Sequence, residues 1–242
     1  IFDKFSDYQE YSLKKYHKKI DPRILAFYSP RGKEIVTWRQ KEAWRLLPTL
    51  QHEGCHAIMD AMFGQLAFWM IEGSADWFGE APAWLQKNEK GLLPVGKDQR
   101  NRWLRLEEMR KNSELPDMQK YFLSDKYEDW DKMFKGDIGM GYDIGWSIFD
   151  FFIRSGQRVQ VTWPQQVLAE ATHLAQRMPN RPPEFIFAQS VNTKWPKMRS
   201  KNGRQLTGIQ TFEQGWHSWI MLNASKEKLK IRDEKKQKNR PE

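Results

Sequence analysis

The feature that most constrains this chain is the pentad His-Glu-Gly-Cys-His at residues 52–56. On an α-helix, two histidines four positions apart lie on one face and about 6 Å apart along the axis. Both imidazoles can then bind one metal ion. Glu53 is turned by roughly 100° from His52, which places its carboxylate beside such an ion and near a water molecule that the ion holds. The pentad therefore predicts a helix and a metal site.

A catalytic zinc site needs a further donor, because it has three protein ligands and one open position. Glu72 follows His56 by sixteen residues, and a second helix is predicted over 71–80. Two antiparallel helices would bring Glu72 back to the histidine pair. The sequence thus predicts His52, His56 and Glu72 as ligands of Zn2+, an ion inferred from the ligand types, and Glu53 as the general base.

The rest of the sequence predicts an α+β fold in which a small antiparallel sheet precedes a mostly helical remainder. Two apolar stretches at 24–28 and 34–38 flank Ser-Pro-Arg-Gly, a tetrad that suits a type I turn, so a β-hairpin is expected. A proline at a helix start favours a new helix at Pro48. Apolar spacing predicts helices over 42–63, 71–80, 103–109, 142–153, 165–177 and 211–223. Residues 112–137 are polar and predicted to be rich in loops.

Length and composition suggest one large domain with smaller attachments. The 242 residues are 39% hydrophobic and include 12 Trp, enough to bury a core. The predicted layout is a lead-in at 1–20, a zincin-like catalytic domain at 21–224 and a basic tail at 225–242. Within the domain, residues 156–224 are a candidate helical subdomain. Cys55 is the one cysteine, so no internal disulfide can form.

The charge balance suggests no specific macromolecular partner. The formal net charge is +9, and part of the excess lies in the tail at 226–240. No RNA-binding signature or glycine-rich phosphate loop accompanies it, so no nucleic acid is expected. No apolar run approaches the roughly 20 residues of a membrane span, so no transmembrane segment is expected. A start at Ile1 is compatible with an exported protein, periplasmic or extracellular, after signal-peptide removal; compartment and oligomeric state stay open.

The two motifs together resemble the gluzincin metallopeptidases, in which an H-E-x-x-H helix is followed by a helix bearing E-x-x-x-D. Glu72 and Asp76 match the second motif, and residues from roughly 21 to 155 look like the bacterial peptidase-MA-like family of unknown function. The resemblance implies a metal between the two helices and a peptide or protein substrate. It implies that Asp76 accepts the other ring N–H of His52, and that Tyr142, which opens a later apolar helix, donates to the oxyanion.

Three further expectations concern the surroundings of the motif. Asp60, four residues after His56, is a second candidate for supporting a ligand histidine. By analogy with gluzincins, strand 34–38 is expected to pair with an extended substrate backbone. Gly54 weakens a helix by roughly 1 kcal/mol relative to Ala, and close packing of another backbone against it is the expected reason.

Two other function classes fit the same residues. One is a zinc amidase or another hydrolase that acts on a non-peptide substrate such as cell-wall amide bonds. The other is a binding module that keeps the fold with little catalysis, which a blocked fourth metal position would favour. His173 and His217 lack any partner pattern and are not assigned to the site.

Overall fold

The computed structural model describes residues 1–22, 24–39, 43–79, 96–159, 163–200 and 202–238. Over these ranges the chain is mostly helical with one two-stranded antiparallel sheet, so the predicted α+β class is confirmed. The elements in chain order are α1 Phe5–Tyr16, β1 Ala26–Ser29, β2 Glu34–Thr37, α2 Ala43–Phe63, α3 Phe68–Gly79, α4 Gly96–Lys111, α5 Met118–Phe122, α6 Tyr127–Met133, α7 Ile138–Val159, α8 Trp163–Arg177, α9 Pro183–Lys194 and α10 Gly208–Lys238. Among the helices of these ranges, none combines the length and apolar character that crossing a membrane requires.

The chain divides into two compact units. The first comprises residues 1–66 and 74–95, and the second comprises residues 67–73 and 96–242. The predicted layout stays a prediction; in this division, α1 belongs to the first unit together with α2 and the hairpin. Residues 156–224 likewise belong to the second unit together with α4 to α7.

Helix α1 lies within the lead-in that the sequence predicted at residues 1–20. Phe5, Tyr8 and Ser12 follow helical spacing, and Tyr8 and Ser12 are fully buried. Tyr8 forms the core of the first unit with Ile20 and Val36. The aromatic side chains packed around this core are Phe2, Phe5, Tyr11, Tyr16, Phe27 and Trp38. Burial of this apolar surface stabilises α1 despite its charged residues.

The predicted hairpin is confirmed. Strands β1 and β2 pair antiparallel, with Tyr28 opposite Ile35. In the turn, the Gly32 N–H donates to Ser29 Oγ over 3.0 Å. The outer edge of β2 is covered at its end, because the Phe2 N–H donates to the Thr37 carbonyl over 2.9 Å and the Phe2 carbonyl accepts from the Arg39 N–H over 2.7 Å.

Helix α2 carries the pentad and is continuous from Ala43 to Phe63, with Pro48 inside it. The prediction of a new helix at Pro48 is therefore wrong. Pro48 lies in the second turn, where it removes the single helix hydrogen bond of its own nitrogen, and the apolar pattern alone cannot distinguish this from a helix start. Gly64 ends the helix as predicted, with φ of +69° and an N–H that donates to the Asp60 carbonyl over 3.1 Å.

Helix α3 starts at Phe68, three residues earlier than predicted, and is described to Gly79; the predicted end at residue 80 lies outside the described residues. Its start is set by a distant residue. Glu184, at the first turn of α9, accepts the Phe68 N–H over 3.1 Å and is 8% exposed. A carboxylate at this position satisfies a free N–H group and complements the helix dipole.

The second unit is more helical than the sequence suggested. Residues 112–137 were predicted as loop but contain α5 and α6, which bury Tyr121, Phe122 and Trp130. These short helices lack apolar periodicity and are fixed by their aromatic side chains. Helix α9 follows the Pro-rich stretch and was not predicted, whereas α4, α7 and α8 lie where expected with longer bounds. Helix α10 continues through the basic tail to Lys238.

Candidate metal centre

Helix α2 and the start of α3 supply three side chains that could hold one metal ion. The ligand atoms of His52, His56 and Glu72 all lie within 4.8 Å of one another. The two Nε2 atoms are 3.1 Å apart, and the imidazole rings meet edge to face with centroids 4.7 Å apart. Two nitrogens at about 2.0–2.1 Å from a tetrahedral zinc ion lie roughly 3.3 Å apart. The histidine pair therefore fits one zinc ion.

Glu72 is held by the helix on which it lies. It is 6% exposed and comes one turn after Phe68, whose N–H is capped by Glu184. The next residue, Gly73, lies against α7, since a Cβ at Gly73 would clash with the backbone of Gly145. A Cβ at Gly145 would lie 3.3 Å from the Gly73 Cα. A cap on one side and a backbone contact on the other fix the position of Glu72.

Asp76 lies one turn after Glu72, and its Oδ1 is 3.2 Å from Nδ1 of His52. A carboxylate at Nδ1 favours the tautomer that is protonated there, which leaves Nε2 with a free electron pair. In His52 that Nε2 is the nitrogen that faces His56. The contact thus orients His52 so that its Nε2 could bind a metal ion, and it lies where the resemblance put Asp76.

Glu53 lies beside the ligand pair and is bound by the hairpin. Its side chain is 8% exposed, and Oε2 accepts the backbone N–H of Tyr28 over 2.6 Å. Strand 34–38 was expected to border the site, but the strand that contacts Glu53 is β1. Because an N–H group has one proton to donate, the Tyr28 N–H donates to Glu53 on α2 and not to a carbonyl of β2.

Asp60 binds the hairpin from the same helix. Its Oδ2 accepts from Tyr28 Oη and from Lys33 Nζ, both over 2.6 Å. The ammonium group of Lys33, followed by the Tyr28 hydroxyl, holds the pKa of this carboxyl below its usual range. Asp60 was predicted as a candidate for supporting a ligand histidine, and that role stays a prediction; the contacts described for it anchor the hairpin. Tyr28 therefore binds α2 twice, at Glu53 through its backbone and at Asp60 through its side chain.

Tyr142 lies near the start of α7 among aromatic residues of the second unit. Its Oη is 3.0 Å from Oη of Tyr127, and the two rings stack with centroids 6.1 Å apart. The ring also meets Trp130 edge to face, with centroids 5.3 Å apart. The role of Tyr142 as an oxyanion donor stays a prediction.

The two middle residues of the pentad have different surroundings. Cys55 is buried, its Sγ lies 3.8 Å from Ser74 Oγ, and burial raises the pKa of the thiol. A Cβ at Gly54 would meet no heavy atom of the described residues within 4 Å, so the close packing predicted at Gly54 is not found among them. The backbone contact occurs at Gly73 instead.

Sequence reasoning missed Tyr8, which it assigned to the lead-in. The side chain is 0% exposed. Burial, followed by the negative charge of Glu53, raises the pKa of the Tyr8 hydroxyl. The available signal was the spacing of Phe5, Tyr8 and Ser12 on one helical face.

No protein-family model, no curated protein and no solved structure matches this chain. The resemblance to gluzincins therefore depends on the two motifs.

Proposed function

We propose that this protein is a zinc-dependent metallopeptidase in which Glu53 is the general base. The observation that carries the proposal is the convergence of donor atoms from His52, His56 and Glu72 within 4.8 Å, with the buried side chain of Glu53 directly after His52 on the same helix. Two imidazoles and one carboxylate are a donor set typical of catalytic zinc sites, and zinc bound there supplies a Lewis acid and lowers the pKa of a water ligand.

The ligand residues are supported by neighbours that fix their geometry. Asp76 binds Nδ1 of His52 and so holds the ring in the tautomer that a metal ligand needs. Glu72 is buried on a helix whose first N–H is capped by Glu184. These contacts support a preformed site, which needs little rearrangement on binding a metal.

Glu53 would take a proton from the attacking water and deliver it to the leaving nitrogen. A general base must be oriented as well as close, and the N–H of Tyr28 holds one oxygen of Glu53 at 2.6 Å. By the resemblance, Tyr142 would donate to the oxyanion that forms on the substrate carbonyl.

The position of β1 favours a peptide over a cell-wall amide as substrate. The strand contacts α2 at Glu53. Over the described residues β1 pairs with β2 along one edge, and its other edge pairs with no strand. An extended peptide would pair with the outer edge of β1, as in strand addition. The edge of β2 fits this role less well, because Phe2 already covers its end at Thr37 and Arg39.

Metal analysis of the purified protein tests the ligand set. We expect about one zinc per chain in the parental protein, and loss of zinc in His52→Ala and in Glu72→Ala, since each removes one of three ligands. His173→Ala is the matched control, because this exposed histidine lies on α8 away from the pentad in sequence. Zinc retained in both ligand variants would exclude this site.

A peptide-library assay tests the reaction. Glu53→Gln should keep the zinc and lose at least about 100-fold in turnover, since general bases contribute roughly 10²–10⁴-fold. Glu108→Gln, at an exposed position of α4, is the control for loss of one carboxylate. Cleavage of peptidoglycan fragments with no cleavage of peptides would favour the amidase. Zinc binding with neither activity would favour the binding module.

A further inference from the structure

The end of α2 exposes apolar side chains that a helix of a globular protein normally turns inward. Residues 61–65 are all exposed, and the exposed fractions of Ile58, Met62 and Phe63 are 59%, 67% and 57%. Ala61, Met62 and Phe63 are consecutive, and a run of exposed apolar residues is unfavourable in water unless a function uses it. The end of α2 is therefore a candidate binding surface.

The tip of the hairpin lies beside this end of α2. Lys33 Nζ is 2.6 Å from Oδ2 of Asp60. Phe63 follows Asp60 by three residues, so the two are neighbours on the helix surface. Arg31, in the same turn as Lys33, is exposed. The exposed apolar residues thus have two basic side chains close to them.

The basic end of α1 is joined to the same hairpin tip. Residues 14–19 read Lys-Lys-Tyr-His-Lys-Lys, and all four lysines are exposed. Lys15 Nζ is 2.9 Å from Oε1 of Glu34, the residue that follows Lys33. The Tyr16 hydroxyl donates to the same oxygen. The hairpin tip therefore connects the end of α1 with the end of α2.

Residues 14–19, 30–34 and 58–65 together form a surface that we call the basic-apolar end. It contains six Lys and Arg side chains and two carboxylates, Glu34 and Asp60, which give it a net charge of +4. Glu10, which pairs with Lys14 over 2.6 Å, reduces this charge to +3. The surface is thus both positively charged and apolar.

This combination fits an anionic lipid surface better than another protein. Ile58, Met62 and Phe63 extend over roughly 140° around the helix axis, whereas a helix packed on a partner buries a stripe of roughly 100°. A helix end immersed among lipid headgroups can bury all three side chains. A second copy of the chain would bring two positively charged ends together, which is unfavourable.

We propose that the basic-apolar end docks on a membrane surface that contains anionic lipid. Met62 and Phe63 enter the boundary between headgroups and acyl chains, and the basic side chains contact the headgroups. The inference goes beyond the proposed function and does not depend on it. His56 lies seven residues before Phe63 on α2, about 10 Å along the axis, so docking would bring the candidate metal centre close to the lipid.

Vesicle flotation of the full chain tests the docking. We expect binding to phosphatidylcholine vesicles with about 30% phosphatidylserine, little binding to phosphatidylcholine alone, and weaker binding as salt is raised. Met62→Ser combined with Phe63→Ser should reduce the binding at least about tenfold, because both side chains lose apolar burial. Leu168→Ser combined with Met198→Ser is the matched control, since these residues of the second unit are 44% and 57% exposed.

A charge-reversal pair separates the basic-apolar end from the basic tail. Lys19→Glu combined with Arg31→Glu should weaken binding to the anionic vesicles at least about tenfold, since each substitution replaces an attractive charge by a repulsive one. Lys235→Glu combined with Lys236→Glu changes the net charge of the chain by the same amount in exposed positions of α10. This control should keep most of the binding.

A fluorescent label tests insertion directly. Cys55 is buried, so an environment-sensitive nitrobenzoxadiazole group can be attached to Phe63→Cys or, as the control, to Met198→Cys. Emission from the label at position 63 should shift to the blue on anionic vesicles, because the group leaves water. Emission from the label at position 198 should not change.

Four results would overturn the inference. The first is that the parental protein binds no anionic vesicles, and the second is that the serine pair at 62 and 63 binds like its control. The third is an equal loss in the tail variant, which would assign lipid binding to α10. The fourth is a parental dimer that becomes a monomer in the serine pair, which would make a second copy the occupant. None of these measurements needs metal or peptide hydrolysis, so the proposed function is tested separately.

Discussion

Helices α2 and α3 carry the candidate site, and they are held in different ways. Around Glu72, α3 is fixed by the Glu184 cap and by the backbone contact at Gly73. Beside Glu53, α2 is bound by polar contacts from the hairpin, and a Cβ at Gly54 would meet no heavy atom of the described residues within 4 Å. Over the described residues, α3 is therefore tightly packed at Gly73, whereas α2 has space at Gly54. A site that must hold a metal and still admit a substrate needs both properties.

The largest expected effect is that of Gly73→Ala. The added methyl group would clash with the backbone of Gly145, which cannot move aside as a flexible side chain can. We expect the free energy of unfolding to fall by about 3 kcal/mol, at the upper end of overpacking effects. Urea denaturation of the metal-free protein measures it. A loss no larger than that of an exposed alanine substitution would contradict the close contact between α3 and α7.

The next effect in size is that of Glu184→Ala. This change removes the acceptor for the Phe68 N–H and a carboxylate from the start of α3, which should cost about 1–2 kcal/mol. Glu184→Gln keeps an acceptor oxygen and should cost less. Urea denaturation of the parental protein, Glu184→Gln and Glu184→Ala in parallel checks that stability falls in this order. If glutamine were as destabilising as alanine, the hydrogen bond to Phe68 would not be the stabilising contact.

Gly54→Ala should raise the free energy of unfolding, whereas Gly73→Ala should lower it. The new methyl group would meet no heavy atom of the described residues within 4 Å, and alanine favours a helix over glycine by roughly 0.5–1 kcal/mol. We expect higher stability, unchanged zinc content and a raised KM, since the methyl group would enter the space beside the base. Peptide hydrolysis at an unchanged KM would mean that the open space is not used by substrate.

The smallest expected effect concerns pH and the contact between hairpin and α2. Lys33 and Tyr28 lower the pKa of Asp60 in the folded state, so the contact stabilises the fold above the unfolded pKa of Asp60 and is lost as the pH falls through the folded pKa. The melting temperature of the parental protein should exceed that of Asp60→Asn near pH 7, and the difference should disappear in acid. A difference that is constant with pH would contradict this assignment.

The sequence predicted those parts of the structure that depend on local spacing. The helix of the pentad, its end at Gly64 and the hairpin follow from periodicity and from glycine and proline positions. The contact of His52 with Asp76 lies where the resemblance put it, because i and i+4 spacing on α3 fixes both Glu72 and Asp76.

The features that were missed depend on contacts between distant residues. The start of α3 is set by Glu184, which lies 116 residues further along the chain than Phe68. The contact of Glu53 with β1 depends on how the hairpin packs on α2. The burial of Tyr8 depends on packing against Phe27 of β1 and Val36 of β2. None of these can be obtained from local patterns.

We propose that His52, His56 and Glu72 hold one zinc ion. Anomalous diffraction at the zinc absorption edge would locate such an ion directly. From crystals of the zinc-loaded protein, we predict a single strong peak about 2.0–2.1 Å from Nε2 of both histidines and from a carboxylate oxygen of Glu72. If no peak appeared at this position after zinc soaking, or if the zinc ion were bound by other side chains, these three residues would not form the zinc site.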